Sequence, residues 1–182
     1  QVPEEVNSFD TSLFNTRPAT GDDNGVVVPG AEGILTKIAR CCTPVPPDEI
    51  VGIVTRLQGI SVHRIDCPNV LNAQDDPRQT TVEWATSTNN NFRVSIQVEG
   101  IDRKLLLVDV IRVISESGSN IVDAKVHTSD DRFAVNRYTV EVSDRFMLDH
   151  LLNQIMNVPG IYSAYRLTGA KPLSKRDLPR YE

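Results

Sequence analysis

All three cysteines of the chain and one of its three histidines fall between Ala39 and Cys67, in the stretch ARCCTPVPPDEIVGIVTRLQGISVHRIDC. Zinc takes thiolate and imidazole donors, and a structural site usually takes four in a tetrahedron. Cys41, Cys42, His63 and Cys67 make up such a set, with His63 and Cys67 at an interval that a turn or helix start brings to one side. The adjacent cysteines are the unusual part. Neighbours on an extended strand point to opposite faces, so both can ligate only where Thr43 and Pro44 bend the chain at once. A second reading stands beside the metal. Free cysteine is often buried and packs as a small hydrophobe, so the same residues suit a small apolar subdomain with inert thiols and a satisfied core histidine. Cysteine catalysis would need a base and an orienter, and only His63 is at hand. An odd cysteine count without a leader sequence argues for a reducing compartment rather than disulfides.

The elements that must position these residues are short. Ile34 to Arg40 is a brief lead, Pro44 to Pro47 a proline-rich turn, and Ile50–Arg56 with Ile60–Arg64 two strands joined by Leu57-Gln58-Gly59. A module of this size, 34–71, buries little apolar surface, so a metal staple would suit it. Residues 1–33 carry six acidic residues against Arg17 alone and read as a flexible linker. That segment accounts for the formal charge of −5 over 182 residues. The rest is neutral, which leaves room for local basic patches. Residues 72–91 read as a polar connector containing Trp84, expected to pack on the first module, and residues 169–182 as a flexible tail.

Residues 92–168 have a different texture. Val94, Ile96 and Val98 alternate on a strand, and Leu106, Leu107, Val110, Ile111 and Ile114 recur at helical spacing between Asp102, an expected N-cap, and Gly118, an expected stop. Strands over Ile121–Thr128 and Phe133–Val142 follow, then a helix capped by Ser143 or Asp144, then a strand over Ile161–Leu167. The order is βαββαβ, the ferredoxin-like plan. No stretch is apolar enough to span a bilayer, and the expected location is cytoplasmic. The initial Gln1 suggests a piece of a longer polypeptide.

The string Lys37 to Asn69, KIARCCTPVPPDEIVGIVTRLQGISVHRIDCPN, resembles the zinc-finger or conserved-cysteine domain of the RelA/SpoT homologues, long bacterial enzymes that make and hydrolyse (p)ppGpp in the stringent response. It departs from the family at Pro46-Pro47, where Pro-Gly is usual. The resemblance implies zinc on Cys41, Cys42, His63 and Cys67, and ribosome contacts through Lys37, Arg40, Arg56 and Arg64. The second module, with its run Ile101-Asp102-Arg103-Lys104-Leu105, resembles an ACT domain. That implies an α+β chain: a small metal-stapled module followed by a ferredoxin-like ACT domain that pairs sheets in a homodimer. It also implies a branched-chain amino acid held by Asp102, Arg103, Lys104, Leu105, Asn120 and Ile121. Free N–H groups at the helix start suit a carboxylate. Many ligand-binding ACT domains have glycine after D-R-x; here Lys104 either meets the carboxylate or closes the pocket.

The chain has no glycine-rich phosphate loop and no acidic cluster suited to magnesium. The resemblance therefore implies a non-catalytic regulatory arm that docks on the ribosome and uncharged tRNA and controls the catalytic domains of its parent chain. The alternative is an amino-acid-sensing ACT dimer, and a third reading is a dimerisation module with neither activity.

Overall fold

The computed structural model describes residues 24–168 apart from 32, 74–75 and 87–89; the acidic segment before Asn24 and the tail from residue 169 lie outside the described residues. In chain order the elements are β1 (Val26–Val27), β2 (Thr36–Ile38), β3 (Ile50–Thr55), β4 (Gly59–Arg64), α1 (Pro68–Leu71), β5 (Gln79–Thr80) and β6 (Glu83–Trp84). Then come β7 (Phe92–Ile101), α2 (Leu106–Glu116), β8 (Asn120–Thr128), β9 (Phe133–Val142), α3 (Arg145–Met156) and β10 (Ile161–Arg166).

The first module is a sheet in the order β2-β4-β3-β5, with β2 and β4 parallel, beside a small ladder of β1 on β6. The β3–β4 hairpin forms as its alternation predicts, and Gly59 has φ 74. A Cβ there would sit 2.1 Å from the Leu35 carbonyl oxygen, so glycine is required for β2 to lie alongside. The boundaries expected for this module were too narrow. β1, β5 and β6 lie outside 34–71 yet belong to it, because β5 completes the sheet and Val28 and Val82 pack on Ile60 and Val62. Two-residue strands have no period to read.

The second module has sheet order β10-β7-β9-β8 with two helices on one face. Its inner face carries Val94, Ile96 and Val98 against Leu106, Val110 and Ile114 of α2 and Leu148, Leu151 and Ile155 of α3, one continuous core. Asp144 caps α3 by accepting from the Met147 N–H at 2.8 Å. Gly118, with φ 80, follows the last turn of α2. Asp102 does not cap α2. The helix starts at Leu106 behind Leu105, which has φ 69, and Asp102 is too far upstream; its backbone joins that of Arg132 in the β8–β9 turn instead.

The modules are docked. Val45, fully buried, belongs to the ACT-like core, and the Pro46 carbonyl accepts the Arg145 N–H at 2.8 Å where α3 begins. Trp84 packs edge-on against Phe92, ring centres 5.4 Å apart, and donates from Nε1 to the Asp48 carbonyl at 2.8 Å. The tryptophan thus bridges the two modules.

Candidate metal centre

Three parts of the fold bring the four predicted ligands together. Cys41 and Cys42 follow β2 in a turn closed by the Thr43 N–H on the Ala39 carbonyl at 2.8 Å, so the strand rule that would oppose them does not apply. The chain then reverses at Thr43, which has φ 41. A β-branched residue in the left-handed region costs roughly 1–3 kcal/mol and persists only where its surroundings hold it. His63 comes from β4 and Cys67 from the N-cap position of α1, where its side chain makes no cap bond.

The donor atoms all lie within 4.8 Å of one another. Cys41 Sγ is 3.7 Å from Cys67 Sγ, 4.0 Å from Cys42 Sγ and 3.4 Å from His63 Nδ1; Cys42 Sγ is 3.8 Å from the same nitrogen. Tetrahedral zinc with metal–sulfur bonds of about 2.3 Å has sulfur–sulfur edges of about 3.8 Å. The cluster has that size and the right donor chemistry, so these residues fit a tetrahedral metal ion.

The surroundings support the same role. His63 turns Nε2 to Ser61 Oγ at 3.0 Å, which fixes the ring with Nδ1 toward the sulfurs. The Arg64 N–H points at Cys42 Sγ at 3.4 Å. Burial pushes the Cys41 and Cys42 thiols up and holds His63 below its usual value. A bound cation would have to draw protons off the thiols that ligate it. Ser61 could have been found from the sequence, since residues two apart share a strand face.

The other expected site residues divide. Lys37 and Arg56 lie toward the β3–β4 turn, with Lys37 Nζ 3.3 Å from Gln58 Oε1, whereas Arg40 and Arg64 lie at the cysteine end. Lys37, Arg40 and Arg56 are exposed; Arg64 is half-buried and paired with Asp66. Asp102, Arg103, Lys104 and Leu105 gather at the β7–α2 junction. There the Arg103 guanidinium is already engaged by Asp109 at 2.7 Å and by the Pro159 carbonyl at 2.8 Å. Leu105 is the residue after D-R-x, and its φ of 69 shows that the glycine-like backbone is kept with a leucine in place. Asn120 and Ile121 are not brought to this junction. They start β8 beside Glu141 and Val140, and Glu141 pairs with Arg93 at the end of β7 remote from Ile101.

Comparison with known proteins agrees with this division. The RelA/SpoT RIS domain matches residues 26–85 and an ACT domain matches residues 88–166. The chain is 52% identical, over 93% of its length, to the bifunctional (p)ppGpp synthase/hydrolase RelA of Mycobacterium tuberculosis. It is 50% identical, over 82% of its length, to a GTP pyrophosphokinase of Streptomyces coelicolor. It spans 23% and 18% of those curated relatives respectively. Among solved structures, the ACT domain from GTP pyrophosphokinase of Chlorobium tepidum aligns over 43% of this chain and 100% of its own, at 22% identity and a TM-score of 0.40. With the RIS match ending at β6 and the ACT match opening just before β7, the chain belongs to the RelA/SpoT homologues and carries their RIS and ACT domains in tandem.

Proposed function

We propose that the chain is the regulatory arm of a cytoplasmic (p)ppGpp synthetase/hydrolase, with a zinc-stapled RIS module that docks on the ribosome and its uncharged tRNA and so controls catalytic domains elsewhere in the parent chain. The observation that carries this reading is the four-donor cluster in a RIS domain already docked on an ACT domain. Zinc on Cys41, Cys42, His63 and Cys67 would neutralise the thiolates and cross-link a module with little core of its own. The exposed cations Lys37 on β2, Arg40 in the turn after it and Arg56 in the β3–β4 turn are then presented where RNA phosphates can reach them. Among the described residues, no helix is long and apolar enough to cross a membrane.

Binding to ribosomes or structured RNA tests this reading. The expected result is affinity that falls steeply with salt and is weakened by Arg40→Glu with Arg56→Glu. Binding that ignores both salt and these substitutions contradicts it.

A second reading, an amino-acid-sensing ACT dimer, is favoured by one observation. β8 is an edge strand whose residues are nearly all exposed, and its sequence is self-complementary. An antiparallel pairing with a second copy about Ala124 would oppose Asp123 to Lys125 and Val122 to Val126, and Asn120 to Thr128. Thr128 pairs with Ala134, next to Phe133 on Ile101, so Asn120 and Ile121 of the second copy would come toward the Asp102–Leu105 end. Calorimetric titration with valine, leucine and isoleucine, together with the mass in solution, tests it. Saturable binding by a dimer supports sensing, and a monomer without heat excludes it.

A further inference from the structure

The turn that presents two of the four metal donors is gripped by the last strand of the other domain. Arg166, at the end of β10, donates from Nη1 to Asp48 Oδ2 at 2.8 Å and from Nη2 to the carbonyls of Thr43 at 2.5 Å and Cys42 at 3.3 Å. The Asp48 carboxylate also accepts the Val45 N–H at 3.0 Å, and the Asp48 N–H returns to the Val45 carbonyl at 2.8 Å. The Cys42–Asp48 loop is thus closed around one guanidinium. Both charged side chains are nearly sealed from water, Arg166 at 10% and Asp48 at 4% exposure. Neither can be withdrawn without leaving the other buried and unpaired.

The grip falls at the place where the metal site needs it. Thr43 closes the turn that carries the adjacent cysteines, with its N–H on the Ala39 carbonyl, and its own carbonyl takes the shortest of these bonds. On its far side the same loop inserts Val45 into the ACT core and hands the Pro46 carbonyl to α3. Cys42 therefore opens, and Cys41 directly precedes, a loop that is seated against the ACT domain.

We propose that Arg166 is a positioning residue of the metal centre, and that metal uptake by the RIS domain and its docking on the ACT domain form one coupled equilibrium. This rests on the metal reading given above. Coupling is reciprocal: if docking tightens metal binding, metal binding tightens docking by the same factor. Loss of the ion would loosen the RIS domain from the ACT domain, so the relative orientation of the two becomes metal-dependent.

Hydrogen exchange of the whole chain, stripped with chelator and then given zinc, tests this directly. In the wild type, zinc should slow exchange in the Cys41–Cys67 segment and also in β10 and the first turn of α3. Arg166→Gln should bind zinc about tenfold or more weakly, as loss of groups that orient ligands does, and any zinc-induced protection should stop at the RIS domain. Asp48→Asn with Arg166→Gln leaves no lone buried charge and should show the same weakening. Arg93→Gln, an exposed partner of Glu141 on the same sheet, should match the wild type. Zinc affinity unchanged in both Arg166 variants, or wild-type protection confined to the RIS domain, overturns the coupling alone. A folded wild type that takes up no zinc overturns the metal reading and the coupling with it.

Discussion

The RIS and ACT domains are joined in one chain but are held together by different means. The ACT domain has one continuous core running from Phe92 to Val158 across four strands of six to ten residues and two helices. The RIS domain has two small clusters. One is Val28, Ile60, Val62 and Val82; the other is Ala39, Cys42, Cys67 and Val70, and two of its four members are the candidate ligands. A core made partly of candidate metal donors would depend on the ion they hold, and a core made of aliphatic side chains would not. The difference suggests that the ACT domain is the platform and the RIS domain the conditional element.

The largest effect expected from this contrast is at Cys67, buried to 1% exposure. Cys67→Ser should abolish tight zinc binding and make residues 24–85 exchange-labile while the ACT core stays protected; chelation of the wild type should do the same. Loss of both domains together would show that the platform is not independent. Next in size is Ile96→Ala, at 0% exposure on the inner face of β7. It should cost about 2–5 kcal/mol of ACT stability, as a truncated core residue does, with the ligand geometry untouched. Denaturant unfolding monitored beside a zinc titration checks both halves of that statement.

Asp144→Ala should cost about 1 kcal/mol, the usual worth of an N-cap. The Met147 N–H holds the Asp144 carboxyl below its usual value. Its contribution is therefore fully present above the unfolded value of about 3.9 and is lost as pH falls through the lower folded value. The difference in stability between wild type and variant should vanish in that acid range. The smallest effect is at Leu105, 58% exposed with φ 69. Leu105→Gly relieves a left-handed side chain at little packing cost, and a small rise in ACT melting temperature should follow.

The same contrast explains what could be read in the sequence. In the ACT domain, period-2 and period-3.6 patterns ran long enough to give Phe133–Val142 to the residue and the whole βαββαβ order. In the RIS domain the chemistry and the β3–β4 hairpin are legible, while the rest of the architecture is not. Cys41, Cys42, His63 and Cys67 stood out by residue type, and the structure gathers them. β1 falls in the apolar run Val26–Val28, which suits a short edge strand, and β6 in the alternating Thr80–Thr86, but β5 is two residues long in polar sequence and is a strand only through its pairing with β3. The Arg166–Asp48 pair spans 118 residues and could not be seen before the domains were docked. Asp102 has the residue type of a cap but does not act as one, because the left-handed Leu105 takes the turn that a capping side chain would otherwise make.

The four-donor metal centre is tested most directly by cobalt titration of the chelator-stripped chain, followed by absorption and then displaced by zinc. One ion should bind per chain, with the intense thiolate charge-transfer and visible bands of a tetrahedral site, abolished in Cys67→Ser and displaced by zinc. A folded chain that shows neither tetrahedral bands nor stoichiometric uptake would contradict it, and would leave Cys41, Cys42 and Cys67 as packing residues.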